Sequence, residues 1–198
     1  ALSKRVFVVG PNASGKSNFL DAFRFLHDIA VPGGSLVAAV NSRRGLKHLR
    51  SLHARQNSHV SVGVEVTLGD DPSPWRYALE LSGSATAHRD MRIERESVFH
   101  GDRQLLSRPD KKDDADSKLL SETHLEQTTQ NRKFRELAET LASTVHVHVV
   151  PQVARNSMRA EEFSSRDTPG SDFIDQLARL APREQKRRLG RIEKLLKA

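Results

Sequence analysis

The chain has 198 residues, 29% of them charged, a formal net charge of +7 and no cysteine. That length suits one ordinary domain with room for a subdomain, and the missing cysteines exclude disulfide scaffolds and thiolate metal sites. No stretch approaches 18 consecutive apolar residues and the N-terminal residues lack a signal-peptide pattern, so the expected compartment is the cytoplasm, with no membrane partner.

Val6 to Val9 is a short, continuously apolar run before a turn, which predicts a strand buried on both faces of a parallel sheet. Behind it lies "GPNASGKSN", residues 10–18. Phe19, Phe23, Leu26 and Ile29 then recur at helical spacing, predicting a helix from Lys16 to about Ala30 that "VPGGS" ends. Leu46, Leu49 and Leu52 predict a second helix within the basic stretch 42–55. The period then drops to two. Val60, Val62, Val64, Val66 and Leu68 alternate with polar or small residues, as do Trp75, Tyr77, Leu79 and Leu81. With "GDDPSP" between them these runs predict an antiparallel hairpin, and "MRIERESVF" and "QLLS" around "HGDR" predict another. The polar stretch 107–118 reads as an exposed loop. From Asn131, Phe134, Leu137, Ala138 and Leu141 predict a helix leading into the strand candidate "TVHVHVVP". Residues 155–171 read as loop, followed by helices near Ser171–Leu180 and Arg183–Lys197.

Gly10, Pro11, Asn12, Ala13, Ser14, Gly15, Lys16 and Ser17 fit G-x-x-x-x-G-K-[ST] without a mismatch, and Asn18 follows. Glycine lets the backbone curl so that successive amides point inward, and the following helix adds its positive end to the same spot. Lys16 is placed to reach the β and γ phosphates of a nucleotide, and the Ser17 hydroxyl to ligate magnesium. The competing reading of the same residues is a structural glycine turn.

The letters "GPNASGKSNFLDAFRFL" resemble the P-loop of ABC-type ATPases in the SMC, RecF and OLD-nuclease-like group. The chain as a whole is similar to the N-terminal lobe of bacterial AAA-type ATPases of that group. This resemblance implies an α/β P-loop NTPase fold: a partial sheet, an antiparallel β subdomain over 56–106 and a mainly helical region over 131–198, within one ATP-binding domain spanning 1–198. It implies ATP and Mg2+ as ligands, and catalysis by Lys16 with a glutamine that contacts magnesium and the attacking water. Gln127 is the candidate by position, with Gln130 and Gln152 as rivals.

The family's signature motif and acidic strand end are not matched. "LSGS" at 81–84 lies at a strand end and reads as a turn, and Asp70 and Asp71 of "VTLGDD" follow an alternating strand and read as hairpin-loop residues. The chain also begins directly on the P-loop strand. The expectation is therefore an incomplete lobe, hydrolysing ATP when completed by a C-terminal lobe and a second copy, in a homodimer that drives a DNA-related or defence process. The alternative is a nucleotide-binding or dimerisation module without turnover.

Residues 183–198 carry seven Lys or Arg against two Glu, net +5. This reads either as a DNA-phosphate contact or as the solvated face of a helix whose apolar stripe is Leu189, Ile192, Leu195 and Leu196. His146 and His148 share a strand face without an evident third metal ligand, and Trp75 and Tyr77 read as core residues. Arg43 and Arg44 read as a nucleotide or DNA contact, or as a solvated helix start.

Overall fold

A computed structural model describes residues 6–49, 59–83 and 91–146, and residues 181–184, 186, 187, 189 and 190 of the C-terminal part. The chain divides into two compact units, Ala1–Thr144 and Val145–Ala198. The first is an α/β unit with one four-stranded antiparallel sheet and five α-helices among its described residues.

Helix α1 spans Lys16–Ala30 and buries Phe25, Leu26 and Ile29. Its buried face is rotated from the one predicted. Phe25 packs inward, while Phe19 remains 40% exposed, because α2 (Leu36–Asn41) and α5 (Arg135–Ala142) lie on the Phe25 side. The chain reverses after α1 so tightly that a Cβ on Gly34 would stand 2.3 Å from the Asp28 carbonyl oxygen. Ser35 then caps α2, its hydroxyl accepting from the Ala38 amide at 3.1 Å. This helix was not among the predicted elements, and the helix predicted over 42–55 is reduced to the single turn α3 (Leu46–Leu49) in the described residues. Left-handed backbone at Arg44 (φ 61°) and Gly45 (φ 93°) separates the two.

The sheet runs β1 (Val60–Val66), β2 (Trp75–Ser82), β3 (Arg92–His100) and β4 (Arg103–Arg108) in that spatial order. Both predicted hairpins are present. Val60, Val62, Val64 and Val66 join Trp75, Tyr77, Leu79 and Leu81 on the core side. A register shift at Glu80/Leu81 then changes which residues of β3 face inward. Strict alternation from Ile93 would send Arg95 and Ser97 into the core and Glu96 out. The extra residue reverses the parity, so that Ile93, Glu96 and Val98 are all fully buried.

Residues 107–118 depart from the predicted exposed loop. Arg108 and Asp113 are buried, and helix α4 (Lys111–Ala115) carries a capping box in which the Asp110 carboxylate accepts from the Lys112 and Asp113 amides. A 3-10 turn follows at Ser117–Ser121, and another at Asn131–Phe134 leads into α5. Phe134, Leu137, Ala138 and Leu141 are all buried, as their spacing predicts.

Val6–Val9 forms no strand, and Phe7 and Val9 are 87% and 89% exposed. The prediction of a doubly buried parallel strand is corrected here: every strand pairing among the described residues is antiparallel and within 60–108. An apolar run is buried only where neighbouring strands cover it. Residues 144–146 are likewise not a strand, and the rest of "TVHVHVVP" lies outside the described residues, as does Ser171–Leu180. In the second unit, residues 182–184, 186, 187, 189 and 190 are helical, with Glu184 and Arg187 paired at 3.0 Å. No helix among the described residues is long and apolar enough to cross a membrane.

Candidate functional site

The loop before α1 is built around two left-handed residues, Ala13 (φ 64°) and Gly15 (φ 88°). Gly15 adopts that region without the Cβ clash, whereas Ala13 carries strain of the kind that collects at binding sites. Gly15 is the N-cap of α1. No side chain caps it and the first turn holds no acid, so the positive end of the helix is left for an external anion. Ser14 N donates to Pro11 O at 3.3 Å and closes the turn.

Lys16 folds back across this loop. Its ammonium donates to the carbonyls of Gly10 at 2.8 Å and Pro11 at 2.5 Å, and lies 3.4 Å from Ser14 Oγ. An ammonium has three N–H donors. Two are spent on positioning the group, while the third meets only a long contact that an anionic oxygen would outcompete. Ser17 and Asn18 stand exposed in the first turn of the helix, and Asn12 is exposed in the loop. The arrangement fits a polyphosphate: uncapped amides, a held cation and an accessible hydroxyl come together within nine residues.

The family model described as "AAA domain, putative AbiEii toxin, Type IV TA system" matches residues 5–193. The chain belongs to this AAA family. No curated protein and no solved structure gives a match. The family is one of nucleotide-binding, ATPase-like domains, which agrees with the loop chemistry.

Other residues that the sequence singles out fall elsewhere in the AAA domain. Gln127 is not brought to the loop. Its Nε2 donates to Glu122 Oε2 at 3.0 Å, and the adjacent Glu126 accepts from Leu36 N at 2.5 Å. Leu36 follows the C-terminal end of α1, a 15-residue helix about 22 Å long that has the loop at its other end. Gln130 is exposed before the second 3-10 turn, and Gln152 lies outside the described residues. Asp70 and Asp71 are hairpin-loop residues. Asp71 accepts from Ser73 N at 2.8 Å, and its other oxygen is 3.1 Å from His100 Nε2. Leu81 and Ser82 of "LSGS" end β2, where the Ser82 hydroxyl donates to Glu94.

Trp75 is buried and stacked on His100, with ring centroids 4.1 Å apart, and Tyr77 is buried with its hydroxyl 3.1 Å from Glu96 Oε1. Both are core residues. His146 is exposed, His148 lies outside the described residues, and no metal-holding group of His, Asp or Glu occurs among the described ones. Arg44 is exposed, whereas Arg43, with 10% of its side chain exposed, is a clamp on α1, neither a solvated helix start nor an open contact. Of the basic stretch 183–198, only parts up to Gly190 are described.

Sequence reasoning missed a buried charge network. Glu96 accepts from Tyr77 Oη, Arg108 Nη1 and the amides of His124 and Leu125. Arg108 uses all five of its N–H donors, on Glu96, Asp113 and the carbonyls of Leu119 and Glu122. Burial pushes the Glu96 carboxyl up, against the pull of Arg108 and the two amides. It also raises Tyr77 well above its usual value, with the Glu96 charge adding to the effect. Glu126 is pushed up to about 7, first by burial and then by the charge of Glu122. His124 is lowered by burial and by the nearby Arg108. The only hint in the sequence is an arginine flanked by acids in a stretch too polar to suggest burial.

Proposed function

We propose that this AAA domain binds ATP with Mg2+ through residues 10–18. The observation that carries the reading is the Lys16 ammonium, tethered to Gly10 and Pro11 with its third N–H held only by a 3.4 Å contact to Ser14 Oγ, beside the uncapped start of α1. The amides of Gly15, Lys16 and Ser17 would hold the β-phosphate, and Lys16 would bridge to the γ-phosphate. The Ser17 hydroxyl would be a ligand to magnesium, which when bound neutralises phosphate charge. Lys16 is the catalytic residue that this proposal retains. Gln127 has no part in it, because its neighbour Glu126 is tied to the far end of α1.

Within the family, the P-loop letters favour an ABC-type lobe of the SMC, RecF and OLD-like group, completed for hydrolysis by a C-terminal lobe and a second copy. A cytoplasmic homodimer acting in defence fits the toxin–antitoxin wording of the family description, and DNA is the alternative client. A specific observation supports a second reading, a binding module without turnover: Asp70 and Asp71 occupy a hairpin tip and not a buried strand end. Titration with labelled ATP and magnesium tests the first claim. Binding that Lys16→Ala abolishes is expected, and equal binding by the variant overturns it. A turnover assay on the chain supplied with a C-terminal lobe separates the two readings: hydrolysis there supports the first, and its absence the second.

A further inference from the structure

Arg43 grips the P-loop helix at two places. Its Nε and Nη2 hold both oxygens of Asp21 at 2.8 and 2.9 Å, and Nη1 holds Asp28 Oδ2 at 2.8 Å. The guanidinium lies over the Phe25 ring at 5.3 Å, with only 10% of the side chain exposed. The two carboxylates are unequal in position. Asp21 is one helical turn beyond Ser17, and α1 has no acid in its first turn, so Asp21 is the acid of this helix nearest the loop. Asp28 lies roughly 10 Å further along the axis.

We infer that Arg43 is a positioning residue for phosphate recognition: by neutralising Asp21 it keeps a negative charge one turn below the loop from opposing the bound polyphosphate. This inference rests on the nucleotide-binding reading above. A bare carboxylate at that place acts within about one Debye length of the phosphates, whereas one at Asp28 is largely screened. A clamp that merely fastens α2 to α1 loses affinity when Asp21, its two-bond partner, is removed. A charge guard does not.

Titration with labelled ATP and magnesium at low and at high salt decides between them. Arg43→Met is expected to weaken binding roughly three- to tenfold at low salt. Asp21→Asn, which leaves Arg43 in excess, is expected to tighten it roughly twofold, and Asp28→Asn to change it far less. The double variant Arg43→Met with Asp21→Asn returns affinity to about the starting value, and all differences shrink at high salt. A double variant as weak as Arg43→Met, or weakening by Asp21→Asn, overturns the inference and leaves nucleotide binding standing. If Arg43→Met does not fold, the two asparagine variants decide alone. Absence of ATP binding by the unaltered chain removes the nucleotide reading itself and the inference with it.

Discussion

Arg108 and Asp113 form a two-pronged ion pair, Nη2 to Oδ1 at 2.7 Å and Nε to Oδ2 at 3.1 Å, with both side chains at most 2% exposed. The pair fastens α4 to the end of β4, and the same guanidinium neutralises Glu96 in the sheet. Replacing Arg108 by Met leaves two carboxylates buried without a counter-charge. The expected loss is about 3–5 kcal/mol, read from urea unfolding. Arg108→Lys is expected to rescue little, because an ammonium has three donors where five acceptor contacts are waiting. A Met variant within about 1 kcal/mol of the parent would show that the network contributes no net stability.

Glu126 gives the fold a pH dependence of unusual sign. Its carboxyl is raised from the ordinary 4.5 to about 7, so the folded state holds a proton that the unfolded chain has released. Stability from this group is full below pH 4.5, falls as pH rises towards 7, and is level above that. His124 works the other way: its lowered pKa adds stability above its ordinary 6.5 that is lost as pH falls. In a His124→Gln background, the unfolding free energy read from urea titrations is therefore expected to fall between pH 5 and 7 by on the order of 1 kcal/mol, after allowance for solvent screening. Glu122→Gln, which removes the neighbouring charge and leaves the burial, should lessen that fall. An unchanged slope would mean that Glu122 does not set the Glu126 pKa.

The turn between α1 and α2 separates two kinds of glycine. A Cβ on Gly34 would meet three backbone oxygens, of Asp28, Val31 and Ile29, at 2.3–3.0 Å, and none of them can swing aside. Gly33, at φ +78°, has nothing within 4 Å. Gly33→Ala is expected to cost about 1–2 kcal/mol of backbone strain. Gly34→Ala should cost more, because α2 must move, and with it the Leu36–Glu126 hydrogen bond. Thermal unfolding of the two variants checks the order.

The parts legible in the sequence were those set by local spacing. Alternation located both hairpins, the spacing of Phe134 to Leu141 located α5, and the G-K-S pattern located the loop. What escaped depended on distant partners. The bulge at Glu80/Leu81 inverts the inward face of β3, and a run of charged residues near Arg108 looks like solvent-exposed chain until every donor is matched. Val6–Val9 shows the converse error. An apolar run signals a strand, yet strand formation needs neighbours that hydropathy does not supply. Gln127 was placed by its order in the chain, and the fold puts its neighbour at the wrong end of α1.

Ala13 permits stability and binding to be tested apart. It holds φ 64° in an exposed loop, a conformation tolerable for a small side chain and unfavourable for a β-branched one. Ala13→Val is expected to shift the loop to a different backbone conformation. Because the loop buries little, the unfolding midpoint should move by less than about 1 kcal/mol equivalent. The amides and the Gly10 and Pro11 carbonyls that seat Lys16 would nevertheless lose their arrangement, so affinity for labelled ATP should drop at least about tenfold, the change that about 1.4 kcal/mol produces. Ala13→Gly accommodates the same φ and should retain binding. Full binding by the valine variant would mean that the left-handed turn at residue 13 is not what shapes the phosphate cradle.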